Sequence, residues 1–113
     1  SELGTHPRFD AVLNGIGPDG HVASLFPGLP HGESGDLVLA VENSPKPPPR
    51  RLSLTAEALN GGRHVWIVAA GDDKSGAIAR LMADAPEDEI PATALSGAEE
   101  TVVWVDRAAA TAL

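Results

Sequence analysis

Four stretches of this chain are almost continuously apolar: Ala11-Val12-Leu13, Leu37-Val38-Leu39-Ala40-Val41, Val65-Trp66-Ile67-Val68-Ala69-Ala70 and Val102-Val103-Trp104-Val105. A strand with one wet face alternates apolar with polar residues. Strands that read as unbroken apolar runs belong in a sheet covered on both faces, which is usually parallel. The intervening segments carry helix and turn signals, so the expected class is α/β with a mainly parallel sheet. At 113 residues the chain suffices for one domain, taken as residues 1–113, and it contains no internal repeat.

The run Phe9–Asn14 ends in glycines and is expected to be a buried strand. Gly15 to Gly20 is a loop, and Val22 to Phe26 has room for a helical turn or two before Pro27, Gly28 and Pro30 end it. Leu37–Val41 is expected to be a second strand. The proline-rich Ser44–Pro49 should be stiff and extended, close to polyproline II. Leu52–Thr55 is expected to form a short strand, after which Thr55 caps a helix to about Leu59 that stops at Gly61-Gly62. His64–Ala70 gives the clearest strand signal. Gly71-Asp72-Asp73 places an aspartate to cap a helix from Lys74 to Asp84, with Ile78, Leu81 and Met82 on one face. Residues 85–100 form an acidic loop, Thr101–Val105 a last strand and Arg107–Leu113 a last helix.

Sixteen acidic residues against eight basic ones give a net charge of −8. A general nucleic-acid surface is excluded on that ground, because phosphate backbones need clustered positive charge, and the scarcity of aromatic residues argues against base stacking. A small anionic ligand needs only two or three local cations and stays open. The chain has no cysteine, hence neither a disulfide framework nor a thiolate metal site, which fits a cytoplasmic setting. No apolar run approaches the ~20 residues that span a bilayer.

Gly15-Ile16-Gly17-Pro18-Asp19-Gly20 has the G-x-G-x-x-G spacing of a dinucleotide fingerprint. That reading fails on its context: a dinucleotide site needs a long helix behind the third glycine, and Pro27-Gly28 stops any helix after about two turns. Glu42 is the best candidate for the acidic residue such a site requires. The alternative is a loop that lets backbone N–H groups of Gly15, Gly17 and Gly20 approach a small anion as a nest. His21 follows the loop directly, at the carboxyl end of the first strand, where open α/β sheets bind their ligands.

The segment Phe9-Asp10, then Gly15-Ile16-Gly17-Pro18-Asp19-Gly20-His21-Val22-Ala23-Ser24-Leu25-Phe26-Pro27-Gly28, resembles the signature of the 6-phosphogluconolactonase family. Ser44-Pro45-Lys46-Pro47-Pro48-Pro49-Arg50-Arg51-Leu52-Ser53-Leu54-Thr55 is similar to a second signature. Gly71-Asp72-Asp73-Lys74 and Trp104-Val105-Asp106-Arg107-Ala108-Ala109-Ala110 are similar to further family segments. The resemblance implies a Rossmann-like three-layer fold of the sugar-phosphate isomerase/deaminase kind. It also implies hydrolysis of 6-phospho-D-glucono-1,5-lactone, in the oxidative pentose phosphate pathway. Family members are longer, so the chain, which begins at Ser1, is expected to be a C-terminal part whose partner is the N-terminal part of the same protein.

Lactone hydrolysis needs an activated water, a stabilised oxyanion and a proton for the leaving oxygen. His21 suits the first and third tasks as general base and acid, and glycine-loop amides suit the second. Asp19 is expected to orient the imidazole, to cap the short helix after it, or both. Ser24 lies in no nucleophile-elbow sequence, so no covalent step is expected. Lys74, in the first turn of its helix and after the strand ending at Ala70, is the expected phosphate contact. It shares an edge with His21 if the two strands are parallel neighbours. Arg51 matches the family's arginine after the proline run and is the second phosphate or substrate contact, with Lys46 third. His31 and His6 sit in expected loops and His64 opens a strand; none has a partner at metal spacing, so neither metal nor cofactor is expected.

Two other readings differ in class. Glucosamine-6-phosphate deaminases share the Gly-x-Gly-x-Asp-Gly-His core but carry a glutamate a few residues past the histidine, where this chain has Leu25-Phe26-Pro27. A non-catalytic sugar-phosphate sensor of the same fold usually carries a DNA-binding helix pair, and no such pair is legible here.

Overall fold

The computed structural model describes residues 8–113; the loop expected around His6 lies outside them. Three strands form the main sheet: β1 (Phe9–Gly15), β4 (Gly62–Ala69) and β5 (Glu100–Val105), in the order β1-β4-β5 and parallel throughout. The parallel sheet expected from the apolar runs is therefore present, with the strands ending near Asn14 and Ala70 as direct neighbours. The run at 37–41 behaves differently. It forms β2 (Val38–Val41), which pairs antiparallel with β3 (Arg51–Leu54) as a separate two-stranded ribbon.

Thr55 begins α1 (Ala56–Leu59) as expected: its hydroxyl accepts the Ala58 amide at 3.2 Å and donates to the Asp36 carbonyl at 2.5 Å. The aspartate cap on the next helix is absent. Asp72–Lys74 forms a 3₁₀ turn, and α2 (Ser75–Met82) follows without a side-chain cap. Met82 is exposed, while Ile78 is fully buried.

Three further expectations are corrected. Val22–Phe26 is not helical: Val22 and Leu25 form an isolated bridge closed by the Leu25 amide on the Val22 carbonyl at 2.9 Å, with Ala23 at φ 50°. Five residues are too few to nucleate a helix against the burial of Val22, Leu25 and Phe26, which decides the local path. Asp19 therefore caps no helix. Ser44–Pro49 is a closed loop rather than an extended rod, because the Ser44 amide donates to the Pro49 carbonyl at 3.0 Å. Arg107–Leu113 forms successive turns rather than a helix; the Asp106 carboxylate accepts the Ala109 amide at 2.8 Å and also receives the Gly71 amide.

The core lies on one side of the main sheet. Val65, Ile67 and Ala69 of β4, backed by Val12 and Val103, pack against Ala77 and Ile78 of α2, Leu59 of α1, and Ile90, Ala92 and Leu95. The opposite side carries the alternate residues of each strand, paired in register as Leu13 with Trp66 and Val68 with Trp104. Leu13, Val68 and Trp104 are exposed there, and the Trp66 and Trp104 rings meet edge to face at 5.6 Å.

Candidate active site

β1 ends at Gly15 and delivers Ile16 and the glycine loop to the carboxyl edge of the sheet. β4 ends beside it, and Lys74 follows four residues after Ala70. This parallel pairing places Gly15, Ile16, Gly17, His21, Ala23, Lys46 and Lys74 around one recess of about 340 Å³. The shared edge expected for His21 and Lys74 is thus present, and Lys46 joins them from the proline-rich loop. A larger recess, of about 570 Å³, is lined by Glu33, Asp36, Glu57 and Glu87 and by no lysine or arginine. Four carboxylates would repel a phosphate, whereas the smaller recess offers two ammonium groups. A third recess, of about 290 Å³, is lined by Arg50 and Arg51 together with Glu42.

The His21 ring is fixed from three directions. Its Nδ1 lies 2.5 Å from Asp19 Oδ1, and the same carboxylate oxygen accepts the His21 amide at 3.1 Å. Its face packs on the buried Phe26 ring, 4.7 Å between centroids. Its third neighbour is the Gly17 α-carbon, where a β-carbon would fall 2.1 Å from His21 Cε1 and Nδ1. Gly17 is therefore required by close approach, not by a left-handed backbone, whereas Gly20, at φ +91°, is required by its backbone conformation.

An ionised carboxylate only accepts hydrogen bonds, so Nδ1 carries the proton and Nε2 of the neutral ring keeps its lone pair. Burial alone would raise the Asp19 carboxyl, but the hydrogen bonds from the His21 ring and amide, with the charge of the ring, hold it below its ordinary value. The acid that keeps this tautomer is thus held toward its ionised form.

The backbone nest expected from Gly15, Gly17 and Gly20 is largely filled from within. The Gly17 amide donates to the His21 carbonyl and the Gly20 amide to the Gly17 carbonyl, both at 2.9 Å, while the His21 amide serves Asp19. These three donors hold the loop and are not free for an oxyanion. Lys74 Nζ donates to the Ile16 carbonyl, which pins its ammonium at the loop and leaves its other N–H groups for a ligand. Arg51 does not line the recess. Its guanidinium is occupied by the carbonyls of Lys46, Pro47 and Pro48. Among the described residues no three His, Asp or Glu side chains converge as a metal site would need.

The Phe26 shelf under His21 and the part of Ala23 in the wall are not legible in the sequence. Both lie inside the 15–28 segment, but only the observed turn, not the expected helix, points them at the recess.

The glycine loop, the histidine–aspartate pair and two lysines thus meet around one recess at the carboxyl edge of the sheet. The family model for glucosamine-6-phosphate isomerases/6-phosphogluconolactonase matches residues 1–104. A 6-phosphogluconolactonase of Streptomyces coelicolor is 47% identical over 108 residues, covering 95% of this chain and 41% of that protein. A human 6-phosphogluconolactonase is 40% identical over 106 residues, covering 92% and 41%. Among solved structures, the 6-phosphogluconolactonase of Thermotoga maritima superposes with a TM-score of 0.76 at 35% identity, over 87% of this chain and 43% of that one. A monomeric glucosamine-6-phosphate deaminase shares the fold at a TM-score of 0.73 and 21% identity. The chain belongs to the glucosamine-6-phosphate isomerase/6-phosphogluconolactonase family, and it spans about two fifths of the length of the relatives it matches.

Proposed function

We propose that this chain carries the hydrolytic side of a 6-phosphogluconolactonase site, acting on 6-phospho-D-glucono-1,5-lactone. The observation that carries the reading is the single recess that holds a tautomer-fixed histidine and two lysines. His21 Nε2 takes a proton from water as that water attacks the lactone carbonyl. The imidazolium, stabilised by Asp19, then returns a proton to the ring oxygen as the acyl–oxygen bond breaks. Lys74 and Lys46 hold the phosphate. With the Gly17, Gly20 and His21 amides occupied and both lysines on the phosphate, the developing oxyanion is met by groups from elsewhere in the protein. A deaminase mechanism lacks support here, because Leu25-Phe26-Pro27 stands where those enzymes carry a glutamate a few residues past the histidine.

The open sheet face, with Leu13, Val68 and Trp104 exposed, would be covered by additional sequence of the same protein, as the greater length of the relatives suggests. A cytoplasmic setting fits the cysteine-free composition, and among the described residues no helix is long and apolar enough to cross a membrane. The discriminating assay offers the full-length protein both substrates. Acid release from 6-phosphogluconolactone without ammonia release from glucosamine 6-phosphate is expected; the reverse pattern would replace this reading with the deaminase one.

A further inference from the structure

The proline-rich loop 44–49 presents Lys46 to the recess, and its prolines cannot build a hydrogen-bonded hairpin of their own. The bond from the Ser44 amide to the Pro49 carbonyl closes the loop, and the Ser44 hydroxyl bridges the Lys46 carbonyl at 2.7 Å. Arg51 fills the remaining space. Its Nε donates to the Pro48 carbonyl at 3.0 Å, and its Nη2 to the Lys46 and Pro47 carbonyls, both at 2.9 Å. Its Nη1 reaches Ser24 Oγ at 3.4 Å, and Ser24 in turn anchors to β3, where its amide donates to Ser53 Oγ at 3.0 Å.

An arginine has five N–H donors, and bidentate recognition of a phosphate takes two of them from one edge of the fork. Four donations are made inside the protein here, so no free edge remains. We infer that Arg51 is a positioning residue that sets Lys46 over the recess, in place of the direct phosphate contact its sequence position suggests. The inference rests on the lactonase reading for its catalytic readout but not for its structural one. The guanidinium also lies 5.6 Å from the centre of the Phe26 ring, the shelf for His21. Phe26 is 1% exposed, and the lysine of Arg51→Lys keeps an alkyl stem and a cation on that side of the ring, so His21 keeps its support in that variant. Arg51 therefore acts on substrate affinity and not on the chemical step.

Arg51→Lys separates the two roles. A lysine supplies the positive charge a direct phosphate contact needs, but its single ammonium cannot span three carbonyls and Ser24. In the full-length protein, R51K should raise KM for 6-phosphogluconolactone about tenfold with Lys46 present and less than about twofold in a K46A background, with kcat nearly unchanged in both. Amide exchange at Ser44 should quicken at least about tenfold in R51K. An equal rise in KM in both backgrounds, or an unchanged Ser44 exchange rate, would overturn the inference. If the full-length protein turns over no lactone, the lactonase reading fails separately. The wild type, R51K, K46A and the double variant titrated with inorganic phosphate then decide Arg51: coupling to Lys46 supports positioning, and additivity refutes it. Should R51K not fold, Ser24→Ala removes one anchor, and its smaller loss of affinity must likewise vanish in K46A; a loss that persists there refutes the clamp.

Discussion

Replacing Gly17 by alanine would place a methyl carbon 2.1 Å from two atoms of the His21 ring and 2.7 Å from Asp19 Oδ1. Ordinary contact between such atoms begins near ~3.5 Å. The ring must therefore move by about 1.4 Å, more than the 2.5 Å bond to Asp19 tolerates. A misplacement of that size lowers a rate by roughly 10²-fold or more, so kcat of the full-length protein should approach that of His21→Ala. Stability should respond less, by about 1–3 kcal/mol, because His21 is partly exposed and can swing outward. The sign should reverse when the ring is absent. In a His21→Ala background the remaining close contact is Asp19 Oδ1 at 2.7 Å, the end of a side chain no longer held by the ring. Once it shifts, alanine at position 17, where the backbone is not left-handed, restricts the unfolded chain and should be neutral or stabilising by up to about 1 kcal/mol. Steady-state kinetics and thermal unfolding of the two single variants and the double variant check this. A Gly17→Ala enzyme with a normal rate, or an equal stability loss in both backgrounds, would refute the packing account of the histidine.

Lys74→Ala should raise KM for the phosphorylated lactone by roughly ten- to a hundredfold, the equivalent of about 1.5–3 kcal/mol, while leaving an unphosphorylated lactone little affected; parallel kinetics on the two substrates decide. The Asp19 carboxyl is held below its ordinary value of 3.8, so its contribution to stability is present above that value and is lost as pH falls through the lower folded value. Unfolding curves of wild type and Asp19→Asn should accordingly differ near neutral pH and converge in strong acid; a constant gap would contradict the pairing. Thr55→Ala removes the cap of α1 and should cost about 1 kcal/mol in the same unfolding assay. The 113-residue chain alone should self-associate through Leu13, Val68 and Trp104, and Leu13→Lys with Val68→Lys should return it to monomer in sedimentation.

Period and composition made the main sheet legible. The apolar runs at 65–70 and 102–105 have no wet alternation, and both are parallel strands. The same logic misplaced Leu37–Val41, because a run of five cannot distinguish a central strand from one half of a separate two-stranded ribbon. The carboxyl-edge placement of His21 followed from the strand and glycine loop before it, whereas its sharing with Lys74 hung on the strands ending near Asn14 and Ala70 being parallel neighbours, which only the pairing supplies. What the sequence withheld is tertiary in origin. The 22–26 turn is set by the burial of Val22, Leu25 and Phe26, not by its own helix propensity. The closure of the proline loop depends on Arg51, whose partners are backbone carbonyls and leave no trace in residue type. The occupied amides of the glycine loop were likewise invisible, since a free nest and a self-satisfied one share the same glycines.

The central claim is that His21 is the general base for lactone hydrolysis. The direct measurement is hydrolysis of freshly prepared 6-phosphogluconolactone by the full-length protein, with His21→Ala beside it and spontaneous hydrolysis subtracted. The account predicts rapid turnover by the wild type and a kcat lower by roughly 10²–10⁴-fold in the variant, with the folded state intact by thermal unfolding. A His21→Ala protein that turns over at a near wild-type rate would contradict it.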